Sequence, residues 1–343
     1  MIGDASYDGL IAVSVSDSPR RHGSTCVGTL DISTFGATPA WLNPSFDRLP
    51  VSITFYDATR PSGRASFDGL CEQISFNATR QQVRFRARDY SAVLAASSAQ
   101  STYYNQTASQ IVEDVALRHG FPCRAAPTQK IVGSYRNDLY NQLLAAGHSL
   151  YNNEWAFLSH LADAEGYFVY FDTDTLIFSS VELLGRSTWE IGADDVIDIA
   201  AHKACTPANG VRFITKSWNT ELAETVSHTI EQTFDPSSSG DPTWIDRITT
   251  APDLNPDSAE RLNFQYLRSL KWRQSEVVIV MPGETEMRSL DGLLLSGTNS
   301  MFDSQYTILS IRRQFSAGAG FRQHIRAIPV QSDLDISPYS VGI

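Results

Sequence analysis

A histidine and four carboxylates stand within fifteen consecutive residues of this chain: His160, Asp163, Glu165, Asp172 and Asp174. His160 and Asp163 are three positions apart, so on a helix they would share one face, as an acid–base pair requires. Glu165 would suit a retaining glycosidase, whose two carboxylates lie about 5 Å apart across a cleft. Both kinds of chemistry need a concave pocket, which no sequence pattern indicates. We therefore expect a solvated helix face and assign no catalytic residue.

Asp172 and Asp174 flank Thr173 as the first two ligands of a calcium-binding loop flank a spacer. The sixth and twelfth positions of such a loop carry Gly and Glu, but this chain has Ile177 and Leu183 there. Aspartate is also favoured in turns, because its side chain hydrogen-bonds to nearby backbone. The sequence predicts a turn and no metal ligand at these two positions.

The residues around these side chains predict a helix followed by a hairpin. Asn152 or Asn153 can cap the helix, and Gly166 can end it. Glu154 suits the positive end of the helix dipole. Ser159, His160 and Asp163 are expected on the polar half of the helical wheel, and the apolar half holds Trp155, Phe157, Leu158, Leu161, Ala162 and Ala164. The strand YFVYF that follows is apolar on both faces, so we expect it to be covered on both sides.

No other pattern indicates a catalytic, cofactor or metal site. Gly-x-Ser-x-Gly, His-Glu-x-x-His, P-loop and Gly-x-Gly-x-x-Gly motifs are absent from the sequence. The seven histidines are scattered, at positions 22, 119, 148, 160, 202, 228 and 324. The cysteines form no Cys-x-x-Cys pair, and we expect free, mostly buried thiols in a reducing compartment for Cys26, Cys71, Cys123 and Cys205. The prediction is a protein that is not an enzyme and needs no cofactor.

Charge argues against tight binding of nucleic acid. The 343 residues carry a net charge of −11, and the densest basic stretch, residues 80–88, alternates with period two like one face of a strand. An acidic wall past which DNA slides is compatible with this charge. No run of eighteen apolar residues predicts a membrane span, and the acidic N-terminus does not resemble a secretory signal.

The order of patterns along the chain predicts a mainly β fold with an α+β insertion. Two small antiparallel β-barrel domains would flank a small α/β domain. The predicted parts are a first barrel at 1–98, an α/β domain at 99–190, a second barrel at 191–333 with a helical insertion around 235–275, and a tail at 334–343.

Three helices are predicted outside the segment described first. Thr107 and Gln110 form a capping box before an apolar stripe that ends at Gly120. A second helical stretch is expected within Leu139–Leu150. A third begins at Asp257 or Ser258 and runs through AERLNFQYLRSLKWRQ. Residues 7–97 are expected to be β throughout.

Two hairpins of the predicted barrels share a phrase. Phe67-Asp68 corresponds to Phe302-Asp303, and Arg86-Ala87 corresponds to Arg326-Ala327. The second copy is longer by five residues, near the turn SAGAG. A chance likeness between two β-hairpins is the alternative explanation. If the repeat is real, the chain holds two copies of one barrel, and a ring of three chains would present six.

The ordered motifs together resemble a known family, the late control protein D family of phage tail hubs, which includes the Mu-type hub. The resemblance rests on RARDYSAVL at 86–94, NQTASQIVEDVALRHGF at 105–121, the segment at 152–178 and FDSQYTILSIRRQF near the C-terminus. The chain is also similar to the hub portion of type VI secretion spike proteins. Each motif alone is a capped helix or a hairpin, so their order carries the resemblance.

The resemblance implies a structural role. It implies a homotrimer in the virion tail baseplate, assembled in the host cytoplasm, whose pseudo-sixfold ring joins a hexameric tail tube to a trimeric spike. Baseplate wedge or tape-measure proteins would be further partners, and DNA would pass through a channel without specific binding. The family offers no catalytic residues to carry over. Two alternatives remain open: the hub of a secretion-type contractile injection spike, and a cell-wall hydrolase using acidic residues such as Glu165.

Overall fold

A computed structural model describes most of the chain. The described residues are 1–2, 9–19, 23–33, 35, 39–42, 49–56, 65–99, 102–129, 131–132, 134–136, 142–146, 152–180, 187–204, 210–219, 223–233, 244–251 and 254–330. His22, His148, Cys205 and the predicted tail at 334–343 lie outside these residues.

The described chain is mainly β, as predicted. Its helices are α1 (Ser91–Ala96), α2 (Ala108–His119), α3 (Glu154–Glu165) and α4 (Pro256–Gln274). Its strands are β1 (Leu10–Asp17), β2 (Thr25–Asp31), β3 (Pro50–Thr54), β4 (Ala65–Asn77), β5 (Gln82–Arg88), β6 (Thr102–Tyr104), β7 (Cys123–Ala125), β8 (Ser134–Arg136), β9 (Gln142–Ala146), β10 (Phe168–Asp172), β11 (Thr175–Ser179), β12 (Thr188–Gly192), β13 (Asp198–Lys203), β14 (Gly210–Asn219), β15 (Glu224–Thr233), β16 (Trp244–Thr250), β17 (Ser275–Pro282), β18 (Gly292–Ser296), β19 (Gln305–Ser316) and β20 (Gly320–Pro329). None of the described helices has the length and apolar character needed to cross a bilayer.

One sheet of eleven strands contains the same five-strand pattern twice. The first copy has the spatial order β1-β2-β5-β4-β3, and the second has β13-β17-β20-β19-β18. Numbered within each copy, both orders are first, second, fifth, fourth, third, and all their pairings are antiparallel. We call these five-strand units the first and second repeats. The likeness predicted between two hairpins therefore extends to whole repeats.

The two hairpins also share an irregularity. In the first, Ala87 pairs with Cys71 and Arg86 with Gln73, so that Glu72 is an extra residue. In the second, Ala327 pairs with Ile308 and Arg326 with Ser310, which leaves Leu309 as the extra residue. A β-bulge of this kind aims one side chain away from the regular alternation. The Arg-Ala dipeptides are therefore equivalent, whereas Phe67 and Phe302 are offset by two residues relative to the bulges.

Each repeat has its own apolar core, and a single strand pairing joins them. The first core centres on buried side chains of β1, β2 and β5, including Val15, Cys26 and Phe85. The second centres on β17, β19 and β20. β1 pairs antiparallel with β19, from Ala12 opposite Ser316 to Asp17 opposite Ile311. Among the strands that the structure describes, this pairing alone joins the two repeats into one sheet.

α2 and α3 begin and end where the sequence predicts. The Thr107 side chain accepts from the Gln110 backbone N–H, and the Gln110 side chain accepts from the Thr107 backbone, which completes the capping box. Asn153 caps α3 by accepting from the Ala156 backbone at 2.8 Å. Both helices end at a glycine in the left-handed region, Gly120 at φ 72° and Gly166 at φ 79°.

β10 is buried on both faces, as its sequence predicts. Val169 and Phe171 face α2 and α3 in a core that includes Trp155, Leu158 and Leu161. The opposite face packs on the second repeat in a cluster formed by Phe168, Tyr170, Ile177, Leu290, Leu309 and Ile328. The bulge residue of the second repeat, Leu309, thus packs against β10 and β11. We call these two strands, together with α1, α2, α3 and β7, the α/β unit.

The helical insertion of the second repeat also contains strands. β15, β14 and β16 form a separate three-stranded sheet, and α4 packs against β14 and β15. Val211, Phe213 and Leu267 are the buried centre of this unit. The cap of α4 is Asn255, whose side chain accepts from the Ser258 backbone at 2.8 Å, rather than the predicted Asp257 or Ser258. The domain limits 1–98, 99–190 and 191–333 stay predictions.

Two local predictions are wrong. The helix expected within Leu139–Leu150 is instead the strand β9, which pairs with β6 and β8, and the flanking residues 139–141 and 147–150 lie outside the described chain. Pairing with the preceding strand β8 and with the more distant β6 overrides the helical preference of Leu and Ala. Residues 91–96, expected to be β, form the short helix α1.

We predict that Leu309→Ala destabilises the chain by about 2–5 kcal/mol, because it leaves a cavity between the second repeat and β10. Leu309 is 8% exposed. The matched control is Glu72→Ala at the equivalent, exposed bulge position of the first repeat. Its ion pair with Arg88 lies near the surface, so the loss should stay within about 1 kcal/mol. Urea denaturation measures both, and equal losses would contradict the prediction.

Candidate functional site

The acidic residues at the end of α3 tie that helix to α4. Glu165 lies 3.6 Å from the Arg261 guanidinium, and Arg268 donates to the Asp163 backbone carbonyl at 2.7 Å. A Cβ at Gly166 would meet the Arg268 side chain, so the α3 terminus and α4 approach closely. Glu165 is thus engaged in a contact between two units of the fold, and its carboxylate has a structural use.

His160 lies at the surface of α3, on the polar side that the sequence predicts. Surrounding protein atoms lower the pKa of its imidazole, and the nearby Asp163 carboxylate works in the opposite direction. Ser159 departs from the prediction: it is buried, and its hydroxyl donates to the Trp155 carbonyl at 2.8 Å. Serine can turn its hydroxyl back onto the preceding helical turn, which lets it enter an apolar environment.

Asp172 and Asp174 lie at the β10–β11 turn, as predicted. Thr173 has φ 60° there, and Thr175 donates to the Asp174 carboxylate at 3.2 Å. Within the described residues, no group of three or more His, Cys, Asp or Glu side chains is arranged to hold a metal ion. Asp172 ends β10, and Asp174 lies in the turn itself, where its carboxylate accepts from Thr175.

An ionic cluster around the buried carboxylate of Glu154 was not predicted from the sequence. Glu154 is only 5% exposed. It accepts from Arg118 at 3.0 Å and lies 2.5 Å from His119 Nε2. Arg118 also donates to the Tyr103 hydroxyl at 2.6 Å. Two basic residues in the last turn of α2 and an acid at the first position of α3 were the available signal, but 35 residues separate His119 from Glu154.

A shallow depression of about 440 Å³ lies beside this cluster. Its lining residues are Thr102, Tyr103, Tyr104, Gln106, Asp114, Leu117 and Arg118. Asp114 accepts from Gln106 at 2.7 Å, while Arg118 is held by Glu154 and Tyr103. The candidate His160, Asp163 and Glu165 side chains are not among the lining residues, so the depression does not assemble them into a site.

The joint between the repeats carries a buried charge. Arg313, opposite Val15, is 3% exposed and donates to the Glu284 carbonyl at 3.1 Å and to the Met287 carbonyl. Burial lowers the pKa of its guanidinium, and the Asp17 carboxylate opposes that effect. Asp17 itself accepts from the Ser289 hydroxyl at 2.8 Å. Polar contacts thus fasten both strands of the joint to the segment before β18.

Aromatic packing reinforces the joint. The ring of Phe321, at the start of β20, stacks on Phe55 of the first repeat with centroids 4.5 Å apart. Phe315 and Phe321 both pack on the first core although they belong to the second repeat. A stacked aromatic pair adds about 0.5–1.5 kcal/mol beyond the area that it buries.

A buried carboxyl holds the exit from the first repeat. Asp89 follows β5, accepts from the Ser24 backbone at 2.6 Å and from the Ser91 backbone at 3.1 Å, and also accepts from the Ser91 hydroxyl. Burial raises its pKa to about 6, although these hydrogen bonds work in the opposite direction. Gly23, with φ 65°, lies so close that a Cβ there would meet Asp89 and Ser91. This contact fixes the start of α1 against the start of β2.

Three of the four predicted free cysteines are described, and all three are free. Cys26 is buried, whereas Cys71 and Cys123 are half-buried. Burial raises the pKa of the Cys26 thiol to about 12 and that of Cys123 to about 11. Thiols of such high pKa are weak nucleophiles, because the thiolate is the reactive form.

No protein-family model matches the sequence, and no curated protein is significantly similar to it. Solved structures, in contrast, match nearly the whole chain. The 43 kDa tail protein of prophage MuSo2 from Shewanella oneidensis has a TM-score of 0.71 at 13% identity, covering 96% of this chain and 97% of that one. A tail protein from Neisseria meningitidis has a TM-score of 0.68 at 12% identity, covering 96% and 95%.

A third structure comes from a secretion apparatus. It is an Escherichia coli component of the type VI secretion system, described as similar to the T4 bacteriophage tail proteins gp27 and gp5. Its TM-score is 0.60 at 12% identity, covering 97% of this chain and 77% of that one. At such identities the likeness shows the fold. The chain has the fold of these phage tail and secretion proteins, as the order of its motifs predicted.

We predict that Glu154→Ala destabilises the protein by about 1–3 kcal/mol, because it removes the hydrogen bonds that the part-exposed Arg118 and His119 make to this buried carboxylate. Thermal unfolding and urea midpoints measure the effect. The control is Glu113→Ala on α2, whose exposed side chain should contribute within about 0.5 kcal/mol. Similar losses in the two variants would contradict the structural role of Glu154.

We predict that Asp89 makes the protein more stable as the pH falls from about 7 towards 5. Its folded-state pKa of about 6 lies above the unfolded value, so the folded chain gains the proton first. The added stability is fully present below the unfolded pKa, near 4, and is lost as the pH rises through 6. The slope reaches on the order of 1 kcal/mol per pH unit. Asp89→Asn should remove this component, and an unchanged difference between urea midpoints at pH 7 and pH 5 would contradict it.

Proposed function

We propose that the protein is the structural hub of a phage tail baseplate. Three chains form a ring of six repeats, which joins a hexameric tail tube on one side to a trimeric spike on the other. The observation that carries the proposal is the internal duplication of the five-strand pattern within a fold shared with phage tail proteins. A duplicated unit in a threefold assembly provides six similar positions, which meets both symmetries at once.

The proposed ring encloses a channel through which DNA passes without specific binding. The net charge of −11 supports this, because a surface that retains DNA needs clustered basic residues to neutralise phosphates. The partners proposed are a second and third copy of the chain, the tail tube protein, the central spike protein and baseplate wedge or tape-measure proteins. Assembly takes place in the host cytoplasm and the product resides in the virion tail.

The proposed role is not enzymatic. Glu165, the acidic residue most suited to a hydrolase, contacts Arg261 at the α3–α4 boundary, and it does not line the depression beside the Glu154 cluster. A second role rests on the similarity to the Escherichia coli type VI secretion component: the chain would form the same hub in a secretion-type contractile injection spike. The ring and its symmetry are common to both roles.

We expect the purified protein to have three times the 37.9 kDa chain mass by multi-angle light scattering, and electron microscopy to show rings with six lobes. The tube and spike proteins, added separately, should bind opposite faces of the ring. A species that stays monomeric alone and with both partners would contradict the hub. Antibody labelling distinguishes the two roles. Labelling at the spike end of intact phage tails supports the first role, and labelling of secretion spikes supports the second.

A further inference from the structure

Charge is unevenly distributed over the eleven-stranded sheet. Side chains alternate along each strand between the two apolar cores and the opposite surface, which we call the open face. On β5 the buried residues alternate with Arg84 and Arg86, so both arginines lie on the open face and are exposed. The basic stretch at 80–88 that the sequence predicts as one face of a strand therefore contributes to this surface.

Strands β19 and β20 of the second repeat add arginines to the same face. Arg312 follows the buried Ile311, and Arg322 precedes the buried Gln323. Arg312 donates to the Ser14 hydroxyl of β1 at 3.0 Å, which places both side chains on the open face. Arg312 and Arg322 are diagonal neighbours across the β19–β20 pairing, and both are exposed. The open face thus carries one pair of arginines from each repeat.

Four exposed arginines of the open face have no acidic side chain within ion-pair distance among the described residues: Arg84, Arg86, Arg312 and Arg322. Two further arginines of these strands are paired, since Arg88 lies 3.0 Å from Glu72 and Arg326 donates to Glu276 at 2.7 Å. Like charges placed side by side repel, so the unpaired arginines do not stabilise the sheet. Their cluster, on a chain whose net charge is −11, is complementary to an anionic ligand.

Strands β1 and β2 lie between the two arginine pairs and form a neutral floor. Their open-face side chains are small and half-buried: Ala12, Ser14, Ser16, Thr25, Val27 and Thr29. β5 and β19 are three strand spacings apart, about 14 Å. The acid at the end of β2, Asp31, accepts from the Ser33 backbone at 2.9 Å. The open face therefore has two basic margins about 14 Å apart, with hydroxyl groups between them.

The open face suits the phosphate backbone of duplex DNA. Guanidinium groups bind phosphate oxygens through paired hydrogen bonds, and Ser and Thr hydroxyls are common phosphate contacts. A duplex presents phosphates on both sides of grooves about 6 and 12 Å wide, so long arginine side chains from the two pairs reach the same duplex. Single strands are held by stacking of bases on aromatic rings, and the open-face positions of the described strands β1, β2, β5, β19 and β20 carry no aromatic residue.

An acidic polypeptide is the competing ligand, because carboxylates also pair with guanidinium groups. A disordered acidic segment loses conformational entropy when it becomes ordered on a surface. DNA is stiff over about 50 nm and carries one charge per about 1.7 Å of its axis. It therefore avoids most of this loss and offers a denser charge, which favours DNA as the ligand.

We propose that the open face binds the phosphate backbone of duplex DNA through Arg84, Arg86, Arg312 and Arg322, without reading the base sequence. This binding requires the sheet of a single chain and no ring, so it goes beyond the proposed function. Phosphate contacts have no preferred register, and a protein held by them slides along DNA. In the proposed hub, the open face would therefore hold DNA by charge and still let it move, although the chain as a whole is acidic.

Fluorescence anisotropy with short labelled duplexes tests the binding. The affinity should fall between about 50 and 200 mM salt, with a log–log slope of about −3 to −4 if each of the four arginines neutralises one phosphate. The double variant Arg84→Gln with Arg86→Gln should bind more weakly, and its slope should be shallower by about 2. Two duplexes of unrelated sequence should bind equally, and a clear preference for one of them would contradict binding to the backbone alone.

The matched control is Arg124→Gln with Arg247→Gln. These arginines are exposed on β7 and β16, so their replacement removes the same charge from other sheets. The control should keep the affinity and the salt slope of the parent chain. The unfolding temperatures of both double variants should match that of the parent, because all four side chains are exposed. An equal loss of affinity in the two double variants would overturn the role of the open face.

Competition and light scattering on the same samples decide between the remaining outcomes. Polyglutamate that displaces the duplex at equal concentration of charge would overturn DNA as the ligand in favour of an acidic polypeptide. A trimer that does not bind the duplex at about 50 mM salt leaves the hub standing and overturns DNA binding by the open face. A monomer whose duplex binding depends on Arg84 and Arg86 supports the open face and overturns the hub.

Discussion

The antiparallel pairing of β1 with β19 is the contact on which the arrangement of the chain depends. It brings residues 12–17 beside residues 311–316 and so holds the two repeats together. The other described units are inserted between strands of these repeats. The α/β unit leaves after Asp89, and the β14–β16 unit with α4 leaves between the first two strands of the second repeat. Bringing β1 and β19 together closes a loop that contains most of the chain, and the entropic cost of closing a loop grows only slowly with its length. The burial of Val13 and Val15 and the Phe55–Phe321 stack offset it.

The two repeats share a backbone pattern but not a surface. At the bulge, the first repeat exposes Glu72 and the second buries Leu309 against β10. The same β-bulge therefore provides an apolar contact to β10 and β11 in the second repeat and an exposed acidic side chain in the first. In the proposed ring, this difference makes neighbouring repeats unlike on one side while their sheets remain alike.

Local signals predicted the local parts of this structure well. The capping box at Thr107, the Asn153 cap and the alternation around Phe85 all act within a few residues, and each is present as expected. The strand β9 was predicted as a helix because its own Leu and Ala residues favour a helix, whereas its pairing with the preceding strand β8 and with the more distant β6 makes it β. The Glu154 cluster was missed for the same reason. Its members are unremarkable singly and become an ionic site only when α2 and α3 pack.

Two of the acidic residues first considered for chemistry, Glu165 and Asp174, make structural contacts, and so does the neighbouring Glu154. Glu165 contacts Arg261, Glu154 contacts Arg118 and His119, and Asp174 accepts from Thr175 in its turn.

The two end strands of the eleven-stranded sheet, β3 and β13, differ in how their outer edges are protected. The outer edge of β3 begins with a proline and is covered by the first two residues, through the Ile2–Val51 bridge and the Ser52–Met1 hydrogen bond of 3.0 Å. β13, at the opposite end of the sheet, carries two exposed alanines at its centre, flanked by Asp198 on one side and by His202 and Lys203 on the other. Natural sheets protect edges with proline, charge or bulges unless another strand occupies them. The chain thus protects one end of the sheet with a proline and its own first residues, and the other end with charged side chains on β13.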